Sequence, residues 1–214
     1  AIEPTTKIIF IVNPNNPTGN YMNKLELLYL LKHLPQNIHV VIDEAYAEYI
    51  ETDDYPHSIK LLTHHPNLII LRTFSKIYGL AAERIGWAYG QPGLIETLNR
   101  IRAPFNVTSA GQAAAIAALA DTDFVAHSRK HNLEWRDWMA AEIAALSNHG
   151  LKAIPSWANF LMIIFEGKVS AETVYKALMD EGYIVRWLPG QGLANGLRIT
   201  IGSEAENRGV MAAL

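Results

Sequence analysis

Three short apolar runs constrain this chain more than any other feature: Lys7–Val12, Ile38–Ile42 and Leu68–Leu71. Their apolar residues are nearly continuous, not alternating with polar ones, which marks strands covered on both faces, the signature of a parallel sheet. A helix is expected between the first two, starting near Asn23, a residue type that can cap it. Leu25, Leu27, Leu28, Leu30, Leu31 and Leu34 form its apolar stripe and Pro35 stops it. Ile85–Tyr89 reads as a fourth strand. Strands alternating with helices predict an α/β fold with a mostly parallel sheet sandwiched by helices. In such sheets ligands bind beyond the carboxyl ends of the strands. The polar residues just after each run are therefore the candidates for chemistry: Asn13–Gly19, Asp43-Glu44 and Thr73–Lys76.

The pattern changes after Ser109. Gln112–Ala120 is Ala-rich and suits a closely packed helix, and a long helical pattern follows from Asp123 to Asn148, ended by Gly150. Beyond it come a strand at Phe160–Phe165, a helix at Ala171–Glu181 and strands at Tyr183–Trp187 and Leu197–Ile201. A last helix is capped by Ser203, with Glu206 three residues on. We divide the chain into a partial larger domain (1–121), a long connecting helix (122–149) and a smaller C-terminal α+β domain (150–214).

Composition narrows the functions. Of 214 residues, 50% are hydrophobic and none is cysteine, so a sizeable core forms without disulfides. A net charge of −3 with no basic stripe argues against nucleic acid and against an anionic membrane surface. Residues 103–120 carry no charge, but Pro104, Asn106, Thr108, Ser109, Gly111 and Gln112 make them a loop and a helix buried in protein instead of a membrane span.

Lys76 is the focus of the chemistry. A strand-end lysine alone usually snorkels to solvent, and a strand-end aspartate such as Asp43 is usually a helix cap. Together they supply an amine for a Schiff base and an acid for a pyridinium nitrogen, the pairing that pyridoxal phosphate chemistry needs.

Asn13-Pro14-Asn15-Asn16-Pro17-Thr18-Gly19, Asp43-Glu44-Ala45-Tyr46 and Thr73-Phe74-Ser75-Lys76 running on to Arg84-Ile85-Gly86 resemble, in order and spacing, the fold-type-I aminotransferases. Among them, the sequence is similar to the histidinol-phosphate aminotransferases. Ala158-Asn159-Phe160 and Leu197–Gly202 extend the resemblance over nearly the whole chain. It implies that Lys76 bonds to pyridoxal 5'-phosphate and shuttles a proton, and that Asp43 pairs with the ring nitrogen. Asn16 and Tyr46 would meet the ring's 3' oxygen, the latter one helical turn after Asp43. Ser75 and Arg84 would hold the phosphate. Arg198 would clamp the substrate α-carboxylate and Asn159 would assist it. Arg186 would meet a distal substrate phosphate, its alternative being a solvated strand-end arginine. The Asn16-Pro17 bond is expected to be cis.

Glu83 departs from the family, standing where relatives carry an apolar residue and where an acid can pair with Arg84. The resemblance also implies that a segment of the family's chain precedes the position of Ala1. That segment supplies phosphate amides and a stacking ring, so this polypeptide is expected to transaminate weakly or not at all. His127 and His131 have the i, i+4 spacing of a metal pair but lack the zinc-protease glutamate and are expected to be surface residues. Gly190–Gly196 misses the dinucleotide-binding spacing and is expected to be a loop.

The function expected from the resemblance is transfer of an amino group from L-histidinol phosphate to 2-oxoglutarate by a cytoplasmic homodimer. It acts on small molecules, with no nucleic-acid or membrane partner and no metal. An aromatic or broad-specificity aminotransferase, a threonine-phosphate decarboxylase and a non-catalytic binding module remain the alternatives.

Overall fold

The computed structural model describes residues 2–214, and Ala1 lies outside them. The chain forms two compact units. One comprises the described residues up to Pro14 together with Tyr21–His127; the other comprises Asn15–Asn20 and Ser128–Leu214.

The first unit is built on a four-stranded sheet, β1 (Ile8–Val12), β2 (His39–Asp43), β3 (Leu68–Thr73) and β4 (Gly86–Gly90), in that order. β1, β2 and β3 are parallel, with Val12 beside Asp43 and Asp43 beside Leu71. β4 runs antiparallel to β3, so the sheet is mixed. In β2 and β3 both faces are buried: Val40, Ile42, Leu68 and Ile70 on one, Val41 and Ile69 on the other. β1 departs from the expected burial, since Ile8 and Phe10 are exposed; among the described residues it hydrogen-bonds to a strand on one side only.

Helix α1 (Lys24–His33) starts where Asn23 predicts it. The Asn23 side chain accepts from the amides of Leu25 and Glu26, and Glu26 reaches back to the Asn23 amide at 2.8 Å. Leu27, Leu31 and Leu34 pack onto the β2–β3 face, whereas Leu25, counted in the stripe, is exposed. Helix α2 (Pro92–Ile101) has no counterpart among the expected elements. Helix α3 (Ser109–Ala120) is capped by Thr108 and packs less closely than expected. It buries only Gly111 and Ala115 and packs on Phe74 and Ile85 through that narrow face.

The division between the units falls within α4 (Thr122–Ala145), which a short 3-10 turn follows, so the α-helix ends earlier than expected. The second unit carries an antiparallel sheet in the order β5 (Leu151–Ile154), β6 (Phe160–Phe165), β8 (Leu193–Thr200), β7 (Arg186–Leu188). Helices α5 (Ala171–Asp180) and α6 (Glu204–Ala213) join Met139 and Ile143 of α4 around its core. Three expectations need correction here. β5 has no counterpart among them. β7 starts at Arg186, not Tyr183, because the Tyr183 amide still closes the end of α5 on the Leu178 carbonyl at 2.8 Å. β8 starts four residues early, since Leu193 pairs with Leu188 across a register shift and Trp187 Nε1 donates to the Ala194 carbonyl at 2.8 Å. Gly190–Gly196 is thus a loop only up to Gly192.

Gly150, which ends the long helical stretch, is left-handed (φ +83°), and a Cβ there would lie 2.3 Å from the Gly167 amide nitrogen. Glycine is required on both counts. Among the described residues no helix is long and apolar enough to cross a membrane, and no cluster of three or more metal-binding side chains occurs.

Candidate active site

The carboxyl ends of β1, β2 and β3 lie side by side, and the chain that leaves them carries the first group of candidates. The Asn13 amide donates to the Asp43 carbonyl at 2.9 Å, and the Glu44 amide donates to the Leu71 carbonyl at 3.0 Å, so the three ends are closed backbone to backbone. Asp43 turns its carboxylate onto the following loop, where Oδ1 accepts the Ala45 amide at 3.1 Å. Tyr46 is buried and precedes a 3-10 turn, Ala47–Tyr49. The expected helical turn between Asp43 and Tyr46 is therefore a tight non-α turn, closed by the Ala47 amide on the Glu44 carbonyl at 3.1 Å.

Lys76 follows β3 by three residues. Its Nζ stands 5.3 Å from the centroid of the Tyr46 ring, and no carboxylate pairs with it among the described residues. No acid partner holds this half-buried amine in an ion pair, so its position leaves Nζ able to approach a carbonyl carbon. Beside it, Ser75 Oγ accepts from Arg84 Nη1 at 3.3 Å, and the same nitrogen donates to the Ala81 carbonyl at 2.8 Å. Arg84 has φ +53°, left-handed for a residue with a side chain. Glu83 and Arg84 form no ion pair among the described residues. The Oε2 of Glu83 lies 3.4 Å from the point that a Cβ on Gly111 would occupy, in the first turn of α3, where a negative charge is favoured by the helix dipole.

Beneath this group lies a cluster of charges that the motifs do not point to. Arg72 Nε and Nη2 both reach Glu44 Oε2, at 2.7 and 2.6 Å, and Nη1 donates to Glu48 Oε1 at 2.6 Å. The Glu44 side chain is fully buried, and burial raises its pKa against the opposing charge of Arg72. Burial works against the Arg72 charge too, but the two carboxylates outweigh it and its pKa rises. The one available signal in the sequence was a lone arginine ending the apolar run of β3, since a buried charge needs partners.

The second unit holds the other candidates. Residues 15–20 form a closed loop: the Asn15 amide donates to the Asn20 carbonyl and the Gly19 amide to the Asn15 carbonyl, both at 2.7 Å. The Gly19 carbonyl accepts the Trp157 amide at 2.8 Å, and a Cβ on Gly19 would run into Ser156. The Asn16-Pro17 peptide is cis, as expected, and Asn13-Pro14 is cis as well.

Asn16 Oδ1 accepts from Arg198 Nη1 at 2.5 Å, so these two candidates meet directly. The Arg198 guanidinium lies 5.0 Å from the Phe160 ring centroid, and its Nε is buried without a hydrogen-bond partner. A buried, unpartnered donor costs about 1–3 kcal/mol; an arriving carboxylate would satisfy it. Arg186 sits directly opposite Arg198 across the β7–β8 ladder, which puts two like charges on one sheet face and favours an anion there. Asn159 adjoins the start of β6, its carbonyl taken by the Ile201 amide at 2.9 Å. His131, expected to be a surface residue, instead bonds to the Gly202 carbonyl through Nε2 at 2.8 Å, beside Asn207 Nδ2 at 3.0 Å.

The donor set suits a phosphorylated pyridine aldehyde in kind. It offers an unpaired amine, a neighbouring carboxylate, a phenol, and a hydroxyl with a guanidinium for a phosphate.

An α/β unit with a strand-end lysine and aspartate, and a second, antiparallel unit with arginines on its sheet, both fit an aminotransferase. All 214 residues match the model of the family "aminotransferase class I and II", and the chain belongs to that family. It is 56% identical to a histidinol-phosphate aminotransferase of Sphingopyxis alaskensis and 55% identical to one of Zymomonas mobilis, each over all of this chain and 58% of the relative. The chain thus spans under two thirds of the length of these curated relatives. Among solved structures, the Sinorhizobium meliloti histidinol-phosphate aminotransferase in complex with pyridoxal-5'-phosphate superposes with a TM-score of 0.88. The two are 34% identical, covering 97% of this chain and 56% of that one.

Proposed function

We propose that the chain carries the cofactor- and substrate-binding residues of a pyridoxal-phosphate-dependent aminotransferase. Its amino donor is L-histidinol phosphate and its acceptor 2-oxoglutarate. The observation that carries this reading is the unpaired Lys76 amine over the Tyr46 ring at the ends of three parallel strands that also deliver Asp43 and Ser75. The names of the relatives support the choice of substrate.

Pyridoxal phosphate, when bound, supplies an electron sink for the electrons left on the substrate's α-carbon. Each protein group then has a defined task. Lys76 Nζ would bond to the cofactor and would take up the proton released from the substrate α-carbon. The Asp43 carboxylate keeps a proton on the pyridine nitrogen. The Tyr46 hydroxyl and the Asn16 amide hydrogen-bond to the ring's oxygen. The Ser75 hydroxyl and the Arg84 guanidinium bind the phosphate; Arg84 adds a planar fork suited to it. Arg198 orients the substrate through its carboxylate, with Asn159 as a further polar contact. Arg186, on the strand face it shares with Arg198, takes the substrate's own phosphate. The resemblance extends the reading to a cytoplasmic homodimer, which sedimentation of the purified protein tests.

The decisive experiment is spectroscopic. On addition of pyridoxal phosphate the protein is expected to gain the visible absorption band of a lysine-bonded cofactor, and Lys76→Ala to lack it. A band that persists in Lys76→Ala would overturn the assignment.

A further inference from the structure

We propose that Arg72 is a positioning residue, whose grip on Glu44 and Glu48 fixes Asp43 and Tyr46 relative to Ser75 and Lys76. This rests on reading the site as a pyridoxal phosphate site.

The pairing of β2 with β3 ends at Asp43 beside Leu71, and its last rung is the bond from the Glu44 amide to the Leu71 carbonyl. Beyond that point one strand departs as residues 44–49 and the other as residues 74–76. These two departing segments carry Tyr46 on one side and Ser75 and Lys76 on the other. Arg72 is placed to tie them. It lies three residues before Ser75 and four before Lys76, while Glu44 adjoins Asp43 and Glu48 follows Tyr46 by two. Its guanidinium delivers Nε and Nη2 to a single oxygen of Glu44 and Nη1 to Glu48, all at 2.6–2.7 Å, so both ends of the 44–48 turn are held by one rigid plane. A third constraint comes from β4. The Arg72 guanidinium lies 5.9 Å from the Trp87 ring centroid, and Gly86 passes so close that a Cβ there would be 2.6 Å from the Arg72 carbonyl.

Stability alone does not account for such a cluster. A buried ion pair repays little more than its desolvation and can often be replaced by uncharged side chains without loss of stability. What a planar, multidentate guanidinium adds is geometry, which a lysine cannot reproduce. A site that holds one cofactor through Lys76, Asp43, Tyr46 and Ser75 at once needs those groups fixed to about half an ångström.

The test uses the purified full chain and four proteins: wild type, Arg72→Lys, Glu48→Gln and the double variant Arg72→Met/Glu44→Gln. The double variant removes the Arg72 charge together with the fully buried Glu44 charge, so the carboxylate it leaves without its arginine is that of Glu48, 14% exposed, and thermal unfolding reads whether folding is retained. Three quantities are read: the dissociation constant for pyridoxal phosphate, the circular dichroism of the visible band of the bound cofactor, and thermal unfolding without cofactor.

The double variant is expected to unfold near the wild-type temperature, yet to bind pyridoxal phosphate about tenfold more weakly and with a reduced visible dichroic band. Arg72→Lys and Glu48→Gln should fall between it and the wild type. A double variant with wild-type affinity and dichroism would overturn the proposal. So would losses in all variants that merely track their thermal destabilisation. A wild-type protein that gains no visible band overturns the reading of the site and this proposal with it, whereas a wild-type band unchanged in the variants overturns the positioning role alone.

Discussion

At the scale of single residues, the candidate site is a set of side chains released at strand ends, and its arginines carry the sharpest expectations. Arg186 and Arg198 share a sheet face, but Arg198 is half-buried and bonded to Asn16, whereas Arg186 is exposed. Arg186→Ala should therefore lower kcat/KM for phosphorylated amino donors by about ten- to hundredfold, the loss of one hydrogen bond to a charged group, about 1.5–3 kcal/mol. Turnover of phenylalanine should barely change, and equal losses on both donors would defeat the phosphate role. Arg84 allows a second test because its backbone is left-handed (φ +53°). Arg84→Gly should leave thermal stability level or slightly raised while weakening pyridoxal phosphate binding, a combination that calorimetry and titration separate. Asn16, Asp43, Ser75 and Lys76 were legible because they follow apolar runs, where α/β sheets collect ligands, whereas Arg84, Asn159, Arg186 and Arg198 were legible only through the resemblance to the family. Arg72 was not. Its importance comes from carboxylates 24 and 28 positions earlier in the sequence, and no local pattern announces a partner at that distance.

At the scale of elements, legibility followed local chemistry. Asn23 and Ser203 begin α1 and α6 as expected, because a cap and its return partner sit three residues apart and need nothing from the rest of the fold. β5, α2 and the early start of β8 were missed, because a short strand or helix here owes its existence to neighbours distant in sequence. The direction of β4 was not legible either. A run of apolar residues reports burial and not polarity.

Two tests belong at this scale. Gly86→Ala should destabilise the protein by about 1–3 kcal/mol, since its Cβ would press on the Arg72 carbonyl, and denaturant unfolding measures the loss. The α6 capping box should give a pH-dependent helix end. Glu206 Oε2 accepts the Ser203 amide and hydroxyl, both at 2.7 Å, and the amide bond above all holds its pKa below the usual glutamate value. The folded-state pKa lies below the unfolded one, so this stabilisation is complete above the usual value of 4.5 and is lost as pH falls through the folded value. Exchange of the α6 amides at pH 3 and pH 6 should show more opening in acid, and Glu206→Gln should abolish the difference.

At the scale of the whole molecule, the two units keep separate cores, one around Leu27, Ile42 and Ile70 and one around Met139, Leu161 and Leu178. Leu27→Ala and Leu178→Ala each empty a fully buried position, so each should cost about 2–5 kcal/mol in urea unfolding. Far smaller losses would show that the packing is looser than described. The α/β class of the chain was evident from three apolar runs, while the assignment of residues 15–20 to the second unit was not. Nothing in Asn15–Asn20 signals the amide of Trp157 or the guanidinium of Arg198 as partners more than 130 residues away. That assignment has a genetic consequence. The backbone changes unit after Pro14, after Asn20 and again after His127, so no single cut in the gene separates the units. A fragment beginning at Ser128 would leave Arg198 and Trp157 without the six-residue loop they bind. Insertion, circular permutation or recombination at the α4 boundary would have to carry that loop along, and the two units are therefore inherited together.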